Sequence, residues 1–153
     1  EDVFISPRMF DKIFKDPYKR LIRLTHDLGM DFWLHSCGNV GKFLPKFQEV
    51  GIDVVEFDSP RMTGLDKASS FRGKLCFANC VDIQTVYPNG TPEEVVLEVK
   101  EMMRSVGNRN GGMIAIDYSQ APQVLNVPKE NVKAFRRAVK KYGKYDNRGD
   151  LQL

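Results

Sequence analysis

Tyr18, Leu21, Ile22, Thr25 and Leu28 recur with the 3.6-residue period of a helix, and the chain then changes character. From Asp31 to Asn39, DFWLHSCGN, an apolar run leads without a break into His35, Ser36 and Cys37 and stops at Gly38. Its length and bulk predict a strand over Phe32 to Cys37. Before it, Ser6-Pro7 and Asp16-Pro17 each read as an N-cap followed by proline at the first helical position, and Gly29 closes the second of these helices. After it, Gly38, Asn39 and Gly41 turn the chain into a helix carrying Phe43, Leu44, Phe47 and Val50. Pro45 falls in the first turn of that helix, and Gly51 ends it.

The alternation continues. Ile52 to Phe57 and Leu75 to Asn79 are predicted strands, separated by an irregular piece with Pro60 and Gly64 and a short helical segment from Leu65 to Phe71. Thr91-Pro92-Glu93-Glu94 is a capping box that opens a helix burying Val95, Val99, Met102 and Met103. Asn108 to Gly112 turns into a fourth strand, Met113 to Ile116. Pro128 to Tyr142 is the last helix, with Val132, Phe135 and Val139 on one face and Gly143 as its stop.

A helix followed by four strand-helix units, with strands apolar nearly throughout, is the pattern of parallel strands covered by helices. The fold class is therefore α/β, in a single domain over residues 1–153. Four such units do not close a barrel. They form either a small open doubly wound sheet or half of an eight-stranded TIM (β/α) barrel, completed by a missing half or a second chain. A half-barrel leaves strand edges open, which predicts a homodimer or a complementing half-barrel as partner. In every version, ligands gather at the C-terminal ends of the strands.

Composition narrows the class. With 42% hydrophobic and 28% charged residues and a net charge of +3, the chain has neither the basicity of a nucleic-acid binder nor an apolar run long enough for a membrane. The start, EDVFISPRMF, lacks the regions of a signal peptide, so a cytoplasmic protein is expected. It opens on Glu1 and directly on a helix signal, as a fragment or processed piece would. Three cysteines, an odd number, predict reduced thiols. The Lys and Arg residues from Lys133 to Lys144 read as a solvated helix face, and Arg148 to Asp150, an RGD tripeptide, carries no functional meaning.

The strand ends carry the chemistry. His35 and Cys37, two residues apart, leave one face of their strand, and imidazole and thiolate are both zinc ligands. The structural alternative is a hydrogen-bonded core histidine beside a small thiol. Glu56 and Asp58 leave the second strand in the same manner, for acid-base work or to hold a substrate, or else to pair with Arg61 or Lys74. Cys80 lies at the mouth of the third strand, followed by Asp82 and Gln84, and is placed to add a second sulfur to His35 and Cys37. Cys76 is expected in the core. The fourth strand delivers Asp117, Tyr118 and Ser119. His26, near a helix end, reads as a surface or capping residue.

In order, FISPRMFDKIFKDPYKRLIRLTHDLGMDFWLHSCGNV, EVGIDVVEFDSP, VDIQTVYPNGTPEEVVLEV and GGMIAI with VPKENVKAFRRAVKKYG resemble the C-terminal half of the uroporphyrinogen decarboxylase superfamily. The resemblance covers nearly the whole chain and implies half of a (β/α) barrel. It implies two chemistries. The haem-pathway decarboxylases bind porphyrinogens without metal and use a His in a Gly-His-Gly turn, where this chain reads IDYSQ. The corrinoid-linked methyltransferases hold zinc with a His-x-Cys and a later Cys; His35 and Cys37 match the former, and Cys80 is the candidate for the latter. Methyl transfer is thus expected ahead of decarboxylation, with zinc on His35, Cys37 and Cys80. Asp58, Asp82 and Asp117 would orient ligands or relay protons, and Glu56, Gln84 and Tyr118 would hold the cofactor. The implied partners are a small or tetrapyrrole-like ligand and a corrinoid protein. A non-catalytic binding or assembly module is the third reading.

Overall fold

The Ser6 side chain accepts from the Met9 amide at 3.1 Å, and Pro7, which has no N–H to satisfy, opens α1 (Pro7–Ile13). The second helix, α2 (Lys15–Asp27), starts earlier than its Asp-Pro signal suggests: Phe14 is its N-cap, and Asp16 instead lies in its first turn, beside the positive end of the helix. The computed structural model describes residues 3–118 and 125–144. Ser119 and the RGD tripeptide lie outside these described residues.

Four strands follow: β1 (Trp33–His35), β2 (Val54–Phe57), β3 (Cys76–Asn79) and β4 (Met113–Ala115). Between them lie α3 (Leu44–Val50), the short helices α4 (Pro60–Thr63) and α5 (Leu65–Ser69), then α6 (Val86–Asn89) and α7 (Pro92–Val106); α8 (Lys129–Tyr142) follows β4. The predicted capping box closes as drawn, with Glu94 N donating to Thr91 Oγ1 at 3.2 Å and Thr91 N to Glu94 Oε2 at 2.7 Å. Gly51 ends α3 at φ +93°, a left-handed conformation costly for any residue with a Cβ. Helix α4 falls in the stretch expected to be irregular, and α6 has no apolar period to announce it.

All neighbouring strands pair in parallel, in the order β1-β2-β3-β4. This consecutive order has no point of reversal, so the doubly wound alternative is excluded and the sheet is part of a (β/α) barrel. The register sets the faces. Leu34, Val55, Phe77 and Met113 form one row across the sheet; His35, Glu56, Ala78 and Ile114 form the next, on the opposite face.

Helices cover the first face. Val55, Phe57 and Phe77 pack there with Phe10, Ile22, Leu44, Phe47 and Val50, and the Phe57 and Phe77 rings meet edge to face at 6.0 Å. Burying each side chain of this size contributes on the order of 1.5–3 kcal/mol. A second cluster joins α7 and α8 through Val95, Val99, Met102 and Phe135. The buried Asn131 ties α8 to α6 by donating to Tyr87 O at 2.9 Å and Gly90 O at 2.8 Å. On the other sheet face Trp33 is 47% and Ile114 37% exposed, while Val54 and Ala78 between them are buried. No described helix is long and apolar enough to cross a membrane.

Candidate functional site

β1 ends at His35, shorter than the predicted strand. Ser36 N still bonds Glu56 O at 3.0 Å, after which Gly38, at φ +83°, turns the chain away. His35 and Cys37 therefore stay on the same side, as their spacing predicts, and His35 Nε2 lies 3.3 Å from Cys37 Sγ. Asp58, just past β2, completes a triangle. Cys37 Sγ donates to Asp58 Oδ2 at 3.3 Å, and His35 Nε2 is 3.8 Å from the same oxygen.

Two of those edges match a tetrahedral metal site, and the third, at 3.8 Å, is slightly long for one. Bonds of about 2.0–2.3 Å from zinc to nitrogen, sulfur and oxygen, opened to the tetrahedral angle, place ligand atoms roughly 3.3–3.7 Å apart. The second Asp58 oxygen, Oδ1, is buried without a hydrogen-bond partner of ordinary geometry. Such an atom is costly to leave unsatisfied, and a cation bound on that carboxylate would offset the cost. Three protein ligands of mixed N, S and O type leave a coordination position free, the arrangement of a catalytic rather than a structural zinc site.

Glu56 stands behind His35. Its Oε1 lies 3.1 Å from His35 Nδ1 and accepts from the Tyr118 hydroxyl at 2.6 Å; its Oε2 accepts from Trp33 Nε1 at 2.6 Å. Burial pushes the Glu56 carboxyl up, but the donations from Tyr118, Trp33 and His35 outweigh it and hold it below the usual carboxylate range. Burial, reinforced by Glu56 and Asp58, pushes the Tyr118 hydroxyl well above the ordinary tyrosine value.

The hydrogen bond to Asp58 raises the Cys37 thiol, with smaller contributions from burial and from the Glu56 charge. A raised pKa keeps the proton on sulfur at pH values where a free cysteine, near about 8.5, is already ionising. Alkylation of metal-free Cys37 at pH 8 is accordingly expected to be slow and to speed up several-fold in Asp58→Asn, because removing the carboxylate charge releases the proton. Peptide mapping after timed iodoacetamide treatment reads this directly. Equal rates in the two proteins would show that Asp58 does not hold the thiol proton.

A cavity of about 300 Å³ opens beside the cluster, walled by Phe10, Phe14, Tyr18, Phe43 and Phe47, with His35 and Cys37 at its margin. Residues 2–142 match the family model for uroporphyrinogen decarboxylase (URO-D). The chain belongs to this family. Within it, the chain is similar to the methylated-thiol–coenzyme M methyltransferase of Methanosarcina mazei, 28% identical over 131 residues, which cover 84% of this chain and 33% of the relative. The chain thus spans about a third of that relative's length. No solved structure matches it.

Other strand-end residues of this uroporphyrinogen decarboxylase family member are placed differently from expectation. Cys80 is fully buried, donates to the Asp58 carbonyl at 3.1 Å, and is not brought into the triangle; burial pushes its thiol far up. Asp82 is also sealed. Its Oδ1 accepts from Gln84 N, Thr85 N and Thr85 Oγ1 at 2.9–3.0 Å, while Ser59 donates to Oδ2. Gln84 is exposed and meets Asp82 only through its backbone. Asp117 accepts from Tyr87 at 3.0 Å and from Arg136 Nε at 2.8 Å, which joins β4 to α6 and α8.

Arg61 pairs with neither strand-end carboxylate. It meets the buried Glu98 at 3.0 Å, and Glu98 in turn accepts from Asp82 N at 2.7 Å. His26 binds Asp53 Oδ2 at 2.7 Å, a surface tether on the same oxygen that accepts from Phe32 N. Cys76 is half-buried. Sequence reading passed over Trp33, whose signal was present: it lies two residues before His35 and so shares its face.

Proposed function

We propose that this chain carries a thiol-activating metal site of the methyl-transfer type, with His35, Cys37 and Asp58 as ligands. The observation supporting it is the triangle of 3.3, 3.3 and 3.8 Å, close to the edges of a tetrahedral site and able to tighten onto one ion, with one position left for a substrate sulfur. Zinc bound there would lower the pKa of a coordinated thiol, so that the thiolate forms at neutral pH. The chain's own contribution is to hold the three ligands together, with Cys37 giving up its proton to solvent as the ion binds. Asp58 thus takes the ligand place first assigned to Cys80.

The relative named for methylated thiols and coenzyme M supports a thiol substrate. A corrinoid macrocycle is far larger than the 300 Å³ cavity, so the methyl donor would be presented by a corrinoid protein rather than enclosed here. The inner face, with Trp33 and Ile114 exposed, fits closure by further strands that would supply the remaining walls. A porphyrinogen is the weaker substrate, since its carboxylates would meet Glu56 and Asp58 of like charge.

Cobalt(II) titration followed by thiol addition tests the reading. One cobalt per chain is expected, with a sulfur-to-cobalt absorption band that intensifies when 2-mercaptoethanesulfonate or methanethiol is added. Absence of stoichiometric binding by zinc and cobalt alike would overturn it.

A further inference from the structure

Glu56 gathers three donors from three different places in the fold. Trp33 comes from β1, two residues before the metal-site histidine; His35 closes β1; and Tyr118 reaches over from beyond β4. The crossing is sterically open because the β3 residue in register with Glu56 is Ala78, whose methyl group offers little bulk. Trp33 Nε1 occupies Oε2, whereas Tyr118 and His35 share Oε1. An indole N–H and a phenol O–H can only donate in this geometry, so they fix the carboxylate plane from both ends. The remaining contact is the 3.1 Å approach to His35 Nδ1. An acceptor held at that point favours a proton on Nδ1 and leaves the Nε2 lone pair for a cation on the side of Cys37 and Asp58, whereas without the cation those two groups compete with Glu56 for the ring proton.

We propose that Glu56, clamped by Trp33 and Tyr118, is a positioning residue that sets the tautomer and the ring orientation of His35. This inference rests on the metal-site reading for its purpose, but not for its test. Glu56 touches neither the cation nor the substrate in this scheme, a role different from the cofactor contact its strand-end position suggests. Trp33 acts through Glu56, and Tyr118 acts through Glu56 and also approaches Asp58.

Two measurements separate the inference from the reading it rests on. The first is ¹⁵N NMR of the histidine rings in metal-free protein. Wild type is expected to show a population of neutral His35 protonated at Nδ1, and Glu56→Gln to lose it in favour of the Nε2 form that Cys37 and Asp58 face; this readout needs no metal. The second is zinc affinity by competition with a chromophoric chelator. Glu56→Gln is expected to bind roughly 10–100-fold more weakly than wild type, with Tyr118→Phe weakened less but in the same direction. Tyr118→Phe removes a single hydroxyl, and it keeps the test decisive if Glu56→Gln does not fold. Unchanged tautomer and unchanged affinity in the variants would overturn the inference while leaving the metal site standing. A shifted tautomer in a protein that binds no metal would uphold the inference and sink the metal-site reading instead.

Discussion

Replacing Cys37 with alanine is expected to weaken zinc or cobalt(II) binding by more than about 100-fold, beyond the 10–100-fold range of changes outside the ligand shell. The reason is geometric. His35 Nε2 and Asp58 Oδ2 are 3.8 Å apart, and the sulfur between them, 3.3 Å from each, is the only soft donor that touches both. Without it, one nitrogen and one carboxylate oxygen remain, too few donors to hold zinc tightly and lacking the thiolate that favours it most. The variant is expected to fold as wild type, because Cys37 is exposed and fills no core space. Direct titration, with circular dichroism as the folding control, reads both statements. Metal affinity retained in Cys37→Ala would show that the ion, if bound, sits elsewhere. Affinity in the wild type should also rise with pH, since Cys37 must lose a proton that Asp58 holds.

Asp82→Ala is expected to cost about 3 kcal/mol of stability, and thus roughly 6–12 °C in melting temperature, while leaving metal affinity of the folded protein unchanged. Asp82 is 1% exposed, and its two oxygens receive hydroxyls from Ser59 and Thr85 and amides from Gln84 and Thr85. Each charge-assisted hydrogen bond of this kind contributes about 1.5–3 kcal/mol, and truncation leaves the buried Ser59 hydroxyl without this acceptor while water can reach the exposed Gln84 and Thr85. The loop after β3 would lose its anchor to the loop after β2. Thermal melts monitored by circular dichroism measure the effect. A variant as stable as wild type, yet unable to bind thiol, would return Asp82 to the reacting role that its strand-end position suggests.

The same contrast runs through the site. His35 and Cys37 were legible because two positions apart on a strand means one face, a relation set by the backbone alone. Asp58 was visible as a strand-end carboxylate but not as their partner, since that depends on the pairing of His35 with Glu56 across β1 and β2. Cys80 was misleading for a related reason. Its distance past a strand matched a ligand position, yet the chain folds its sulfur under the Asp58 carbonyl. Trp33 and Tyr118 meet on Glu56 from 85 residue positions apart, a distance at which no local pattern can report a contact.

By itself the sequence determined the order of helices and parallel strands, their caps at Ser6 and Thr91, and which strand residues share a face. These follow from interactions within a few residues, where periodicity and capping chemistry act directly. The tertiary structure alone decided which carboxylate joins the histidine and the thiol, which cysteine is sealed away, and which acids are tied to neighbouring loops and helices. Those outcomes turn on strand register and on loops packing over one another, and both are settled by the summed burial of the whole sheet rather than by any residue's neighbours in the chain.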